Sequence, residues 1–163
     1  MFEYRKATEK VLCRLWNRNI RMHPFDRRYR AWKQDFLRMN RDGTGATFAI
    51  LHNEAPVGEG TLLFSPQCTA IRGREWLADG VRTANINALR IRKAYEGQGH
   101  VSALMKEMER YAAEQGVVRL TIGVAAPEAR TRAIYRHWGY TEFLRETVED
   151  GDTVLYYAKT LSA

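Results

Sequence analysis

The segment Tyr95-Glu96-Gly97-Gln98-Gly99-His100-Val101-Ser102 constrains this chain more than any other. It follows the apolar run Asn85–Ile91 and opens a stretch in which Val101, Leu104, Met105, Met108, Tyr111 and Ala112 recur at helical spacing. The pattern specifies a strand, a turn with two glycines, and a helix. The first turn of a helix carries N–H groups without intrahelical partners and the positive end of the helix dipole. Glycines let the backbone come close to a ligand and take angles that other residues resist. The junction is therefore built for an anion, a phosphate above all. It is not a Walker loop, because Gly-Lys-Ser/Thr is missing, and not a dinucleotide fingerprint, because the third glycine is missing.

The rest of the chain alternates short strands and helices around this junction. Phe2 to Lys6 reads as a strand. Thr8 is placed to cap a helix bearing Val11, Leu12, Leu15, Trp16, Asn19 and Ile20 at helical spacing, and His23-Pro24 stops it. A second helix is expected over 26–40, ending in the turn Arg41-Asp42-Gly43-Thr44-Gly45. Ala46–Leu51 and Val57–Phe64 form a hairpin around residues 53–56. Residues 65–83 are the least regular part and are expected to hold an extra hairpin. Ala84–Ile91 is the strand before the glycine turn, whose helix ends at Gly116. Val117–Val124 is a further strand, Pro127 and Gly139 bracket a last helix, and Thr141–Val148 and Thr153–Thr160 close the chain. The order is β-α-α-β-β-β-α-β-α-β-β, an α/β domain with a central mixed sheet flanked by helices. At 163 residues a single domain over 1–163 is expected.

No apolar run approaches a membrane span, and Met1–Lys6 lacks the apolar centre of a signal peptide, so a cytoplasmic protein without a membrane partner is expected. Cys13 and Cys68 read as buried thiols. The four histidines have no metal-ligand spacing, so no metal is assigned. The formal net charge of +7 sits unevenly: residues 14–41 hold eight arginines and one lysine against Asp26 and Asp35, which accounts for all of it. A solvated helical face is the ordinary reading of such a run. A nucleic-acid partner is not expected, since no helix-turn-helix, RNA-recognition or zinc-finger pattern accompanies it.

The stretch from Thr83 to Tyr140 resembles the GNAT superfamily of N-acetyltransferases. Thr83–Gly116 is similar to that family's strand, pyrophosphate turn and helix, and Ala133-Ile134-Tyr135-Arg136-His137-Trp138-Gly139-Tyr140 to its later helix. The resemblance implies acetyl-CoA as cofactor and an amine as acceptor. It implies that Leu89, Arg90 and Ile91 meet the pantetheine arm, and that Glu96, Gly97, Gln98, Gly99, His100, Val101 and Ser102 surround the pyrophosphate, with Arg92 and Lys93 nearby. Glu96, Val101 and Glu128 depart from the family pattern; Glu96 is expected to face solvent, and Glu128 stands where many members carry an asparagine that contacts the pantetheine.

By the same resemblance Tyr135 matches the tyrosine that often protonates the departing thiolate. An amine must lose its proton to attack, and Glu59, flanked by Gly58 and Gly60 in mid-strand, is the leading candidate to accept it. Asn87, on the strand that the resemblance assigns to the pantetheine, is placed to polarise the thioester or to fix a water. The family's first two helices border the acceptor, which here brings in Trp16 and Tyr29 and the basic segment, with Trp76 and Asp79 closing from the other side. An acceptor that also carries an acidic group is expected. The alternative is a non-catalytic acyl-CoA-binding or regulatory module of the same fold, for which Glu96, Val101 and Glu128 speak and against which Tyr135 speaks. The closing strands are capable of pairing across a homodimer.

Overall fold

The computed structural model describes residues 1–161 and shows the expected order of elements. Strand β1 (Phe2–Lys6) leads to helices α1 (Glu9–Met22) and α2 (Arg28–Asp42), then to β2 (Gly45–His52), β3 (Ala55–Leu63) and β4 (Thr83–Ile91). Helix α3 (His100–Glu114), strand β5 (Arg119–Ala125), helix α4 (Ala129–His137), β6 (Glu142–Glu149) and β7 (Asp152–Thr160) complete it. One seven-stranded sheet runs in the order β1-β2-β3-β4-β5-β7-β6. Every pairing is antiparallel except β4 with β5.

Local chemistry sets the boundaries. Thr8 Oγ1 accepts from the Val11 amide at 3.3 Å and starts α1, whose Val11, Leu12, Leu15 and Trp16 are buried. Asp26 holds the Arg28 amide at 3.0 Å, and α2 begins two residues later than the expected start at 26. It ends at Gly43, in left-handed conformation at φ 81°. Asn53 and Glu54, both at positive φ, make the tight turn between β2 and β3.

Residues 65–83 are not the extra hairpin that their sequence invites. They form two short 3₁₀ turns, Thr69–Ile71 and Glu75–Leu77. Cys68, Ile71, Leu77 and Ala78 are buried with Leu12, Trp16 and Phe36 under the first two helices, so packing holds the segment against them. Asp79 does not close a pocket; its Oδ1 accepts from the amides of Val81, Arg82 and Thr83 and shapes the entry to β4.

Two cores lie on opposite faces of the sheet. Helices α1 and α2 pack over β2 and β3 on one face. Helix α3 packs on the other with Leu104, Met105 and Met108 fully buried, and α4 joins it there through Tyr135 and Trp138. Of the cations in residues 14–41, the exposed Arg28 pairs with Asp26 and Asp150, the exposed Arg38 with Asp35 and the exposed Arg41 with Glu9. That is a solvated face with modest ion pairs. No helix among the described residues is long and apolar enough to cross a membrane.

Candidate active site

Strands β4 and β5 part company inside the sheet. Their parallel pairing covers Thr83–Ile86 against Arg119–Ile122 and then stops, although β4 continues to Ile91 and β5 to Ala125. At the parting β4 is irregular against β3, and Ala88 sits at φ 53°, a conformation that costs a non-glycine residue energy. The backbone of β4 beyond Ile86 therefore turns an edge without a strand partner towards β5. Two depressions adjoin this opening. One is a groove of about 600 Å³ between β4 and the starts of α3 and α4. The other is a cavity of about 320 Å³ between the parted strands and the 3₁₀ turns. Leu89 and Tyr135 line both.

The far end of the groove is the glycine junction. Gly97 and Gly99 take left-handed angles of φ 73° and 85°, and a Cβ on either would meet nothing within 4 Å. Glycine is needed there for the backbone angle and not for space. Gly99 caps α3 without a side-chain hydrogen bond. Among the described residues the amides of 97–102 find no hydrogen-bond acceptor. Free amides at a helix start, five of them from residues that line the groove (Gly97, Gly99, His100, Val101 and Ser102), suit an anion as a cradle.

Of the residues expected to hold a cofactor, Leu89, Arg90, Ile91, Glu96, Gly97, Gly99, His100, Val101, Ser102 and Glu128 line this groove. Gln98 does not: its side chain donates to the Ala94 carbonyl at 3.2 Å and faces the His100 ring. The His100 ring is turned inward, Nδ1 2.8 Å from the Tyr4 hydroxyl and stacked on Phe2. Its backbone, not its imidazole, belongs to the cradle. Arg92 also turns away, towards Arg14, Arg18 and Arg21 of α1; burial and these like charges lower its pKa. Glu96 is exposed as expected. Tyr95, Arg130, Thr131, Ile134 and Trp138 complete the groove wall.

Tyr135 projects from α4 at the boundary of groove and cavity. Its hydroxyl makes no hydrogen bond to any described residue, and burial, aided by the negative charge of Glu128, pushes its pKa up to about 12. It carries its proton throughout the neutral range. A protonated phenol with no internal partner is free to donate into either space.

The other expected side chains lie elsewhere. Glu59 is 2% exposed and lines neither depression. It points beneath α1, where Oε2 accepts from Asn19 Nδ2 at 2.9 Å, Arg90 Nε stands 3.9 Å away, and Oε1 has no partner. Burial raises its pKa more than Arg90 and Asn19 lower it. Trp16 is not an acceptor contact: it is 1% exposed in the core, with Arg90 over its ring. Tyr29 packs between His23 and Trp32 on the helical face and lines neither space. Trp76 stands one layer behind the cavity, edge-on to Tyr156. Asn87 does line the cavity, its amide 3.3 Å from Asn85 Oδ1. No residue of the basic segment reaches the cavity wall.

What sequence reasoning missed is the cavity's polar wall, Arg74, Glu149 and Tyr156. Arg74 Nη1 donates to Glu149 Oε1 at 3.1 Å and to the Tyr156 hydroxyl at 2.8 Å. These partners are 75 and 82 residues apart in sequence, and no local pattern signals them.

Parted strands, an amide cradle and a free phenol between two spaces define an acyl-transfer fold. The chain belongs to the Acetyltransferase (GNAT) family, whose profile matches residues 10–140. Among solved structures it is similar to the ribosomal-protein-S18-alanine N-acetyltransferase of Escherichia coli, at 15% identity and a TM-score of 0.73 over 100% of this chain and 96% of that one. A spermidine N-acetyltransferase SpeG chimera from Vibrio cholerae and hSSAT is similar at 14% identity and a TM-score of 0.72, over 98% of this chain and 95% of that one. RimL, a ribosomal L7/L12 alpha-N-protein acetyltransferase in complex with coenzyme A, matches at 17% identity and a TM-score of 0.70, over 98% and 94%. No curated protein sequence matches.

Proposed function

We propose that the protein is an acetyl-CoA-dependent N-acetyltransferase acting on a primary amine of a small molecule, with the whole chain as one catalytic domain. The observation that carries this reading is the Tyr135 hydroxyl, protonated, unpartnered and shared by the groove and the cavity. A non-catalytic module has no use for such a group.

Acetyl-CoA supplies the acetyl group as a thioester. The amides of 97–102 fit its pyrophosphate, and the unpaired edge of β4 at Leu89–Ile91 fits an extended arm bearing amides, as an added strand would. Glu128 heads α4 and faces the same groove. The acceptor enters from the cavity side, where Asn87 offers an amide towards the reacting carbonyl. Transfer removes one proton from the amine and adds one to the sulfur. Tyr135 provides the second: its raised pKa keeps the phenol protonated across the neutral range, and it passes that proton to the sulfur as the carbon–sulfur bond breaks and regains one from solvent. Glu59 is buried and lines neither space, so the amine loses its proton to solvent at the cavity mouth.

Calorimetric titration of acetyl-CoA into the protein, with Gly99→Glu beside it, tests the reading. The variant forces a side chain into a left-handed position and sets a carboxylate on the cradle. Micromolar binding by the wild type, weakened about a hundredfold or more in the variant, is expected for a charge placed against a diphosphate. Absence of binding by the wild type refutes the reading and favours another use of the groove.

A further inference from the structure

The cavity beyond Tyr135 is lined by one charge of each sign, Arg74 and Glu149, in an otherwise neutral wall. Both are half-buried, with 24% and 31% of their side chains exposed. Arg74 Nη1 donates to Glu149 Oε1 and to the Tyr156 hydroxyl, and Nη2 donates to the Ala70 carbonyl at 2.7 Å. Tyr156 in turn donates to Glu149 Oε2 at 2.6 Å, and Thr147 donates to the same oxygen. A guanidinium has about five N–H donors and a carboxylate about four acceptor positions. Three of each are used here, so Arg74 keeps unspent donors and Glu149 an unspent acceptor position on Oε1. The network also fixes both groups, because Tyr156 is buried and bonded to each of them.

We infer that this pair selects the acceptor, and that the acceptor class is an α-amino acid: one primary amine beside one carboxylate. The inference rests on the acetyltransferase reading of the same site. The carboxylate takes the spare donors of Arg74, and the ammonium docks at the spare position of Glu149 before losing its proton. Interleaving two substrate charges with two protein charges leaves none unpaired. A plain amine leaves the Arg74 donors without a partner as water is expelled, which carries a penalty. A polycation meets a guanidinium and a carboxylate that is already three-quarters engaged, so the site does not suit it. The volume of about 320 Å³ suits a small acceptor. The basic segment of α1 and α2 plays no part, because it does not reach this wall.

The test follows acetyl-CoA turnover by thiol release with L-leucine, L-methionine, L-glutamine and L-phenylalanine, each beside its carboxamide. At least one free acid is expected to exceed its amide about tenfold or more in kcat/KM, the size of one good charge-assisted contact. Arg74→Met is expected to bring that ratio close to one, chiefly through the KM of the acid, and Arg74→Lys to restore part of it. Amides used as well as acids throughout overturn the inference, as does a ratio that survives in a folded Arg74→Met protein. The wild-type ratio decides even if that variant does not fold. Binding of acetyl-CoA without turnover of any member overturns the inference and leaves the acetyltransferase reading standing. No binding of acetyl-CoA overturns both.

Discussion

Replacing Tyr135 by phenylalanine removes a single oxygen atom, and the structure allows its consequences for stability and for chemistry to be separated. The hydroxyl has no hydrogen-bond partner among the described residues, so its loss breaks no internal bond. The ring still packs 5.8 Å from Trp138. The change in folding free energy is therefore expected within about 0.5 kcal/mol, the range of substitutions that disturb no special feature. Chemistry should respond very differently. A positioned proton donor contributes about 10²- to 10⁴-fold, which is roughly 3–5 kcal/mol of barrier. The assay is acetyl-CoA turnover with a working amine alongside thermal unfolding, from pH 6 to 10. The expected result is kcat reduced by two or more orders of magnitude at nearly constant Tm and nearly constant acetyl-CoA affinity. The sign of the pH effect follows from the raised pKa. The folded protein keeps the Tyr135 proton up to about 12, whereas the unfolded chain loses it near the ordinary value of 10.0. The resulting stability is present below pH 10 and is lost as pH rises through 12, so tyrosine ionisation imposes no alkaline fall in rate within the assay range. A kcat within threefold of wild type refutes the proton-donor role. A drop in Tm of many degrees refutes the claim that the hydroxyl is unpartnered.

Two further substitutions test the packing around the site. Glu59→Gln is expected to raise Tm at pH 8, because Glu59 has a raised pKa and an unpartnered buried oxygen. The wild type loses stability as pH rises from 4.5 through the folded pKa, so the difference should vanish below 4.5; a lower Tm at pH 8 contradicts this. Gly123→Ala would set a Cβ 2.5 Å from the Tyr156 ring, and Tyr156 is held by Arg74 and Glu149. A loss of about 1–3 kcal/mol by denaturant unfolding is expected for overpacking of this kind, and an unchanged midpoint would show that the ring moves freely.

How far the sequence disclosed this site depended on whether the relevant physics was local. The glycine junction was legible because left-handed angles at Gly97 and Gly99 belong to a few adjacent residues. The place of Tyr135 beside the groove was legible through its motif, and the order of elements along the chain through hydrophobic period and punctuation. Glu59 misled because alternation fixes that neighbours point oppositely, without saying which face opens to ligand; its face is closed by Asn19 of α1. Trp16 misled for a related reason. It sits among exposed arginines in sequence, yet belongs to the buried stripe of α1 with Leu12 and Leu15. Residues 65–83 were the least regular part of the sequence and suggested an extra hairpin, while burial against α1 and α2 dictated compact turns. Arg74, Glu149 and Tyr156 were invisible, since only the folded sheet brings the second 3₁₀ turn to the end of β6.

The four-residue contact of β4 with β5 also makes the sheet mechanically unequal along its width. Residues 2–91 build a four-stranded antiparallel unit and residues 119–160 a three-stranded one; four parallel rungs join their strands, and Ala84 and Ile86 share one buried core with Leu120 and Ile122 across the join. Beyond those rungs the parted strand ends share no backbone hydrogen bonds, and a ligand lying along both adds contact there. Such a ligand contributes by mass action, about 2.7 kcal/mol at a hundred times its dissociation constant. On the proposed function, the molecule that donates the acetyl group would then also act as a keystone, bridging the parted ends of the two strands while it is bound.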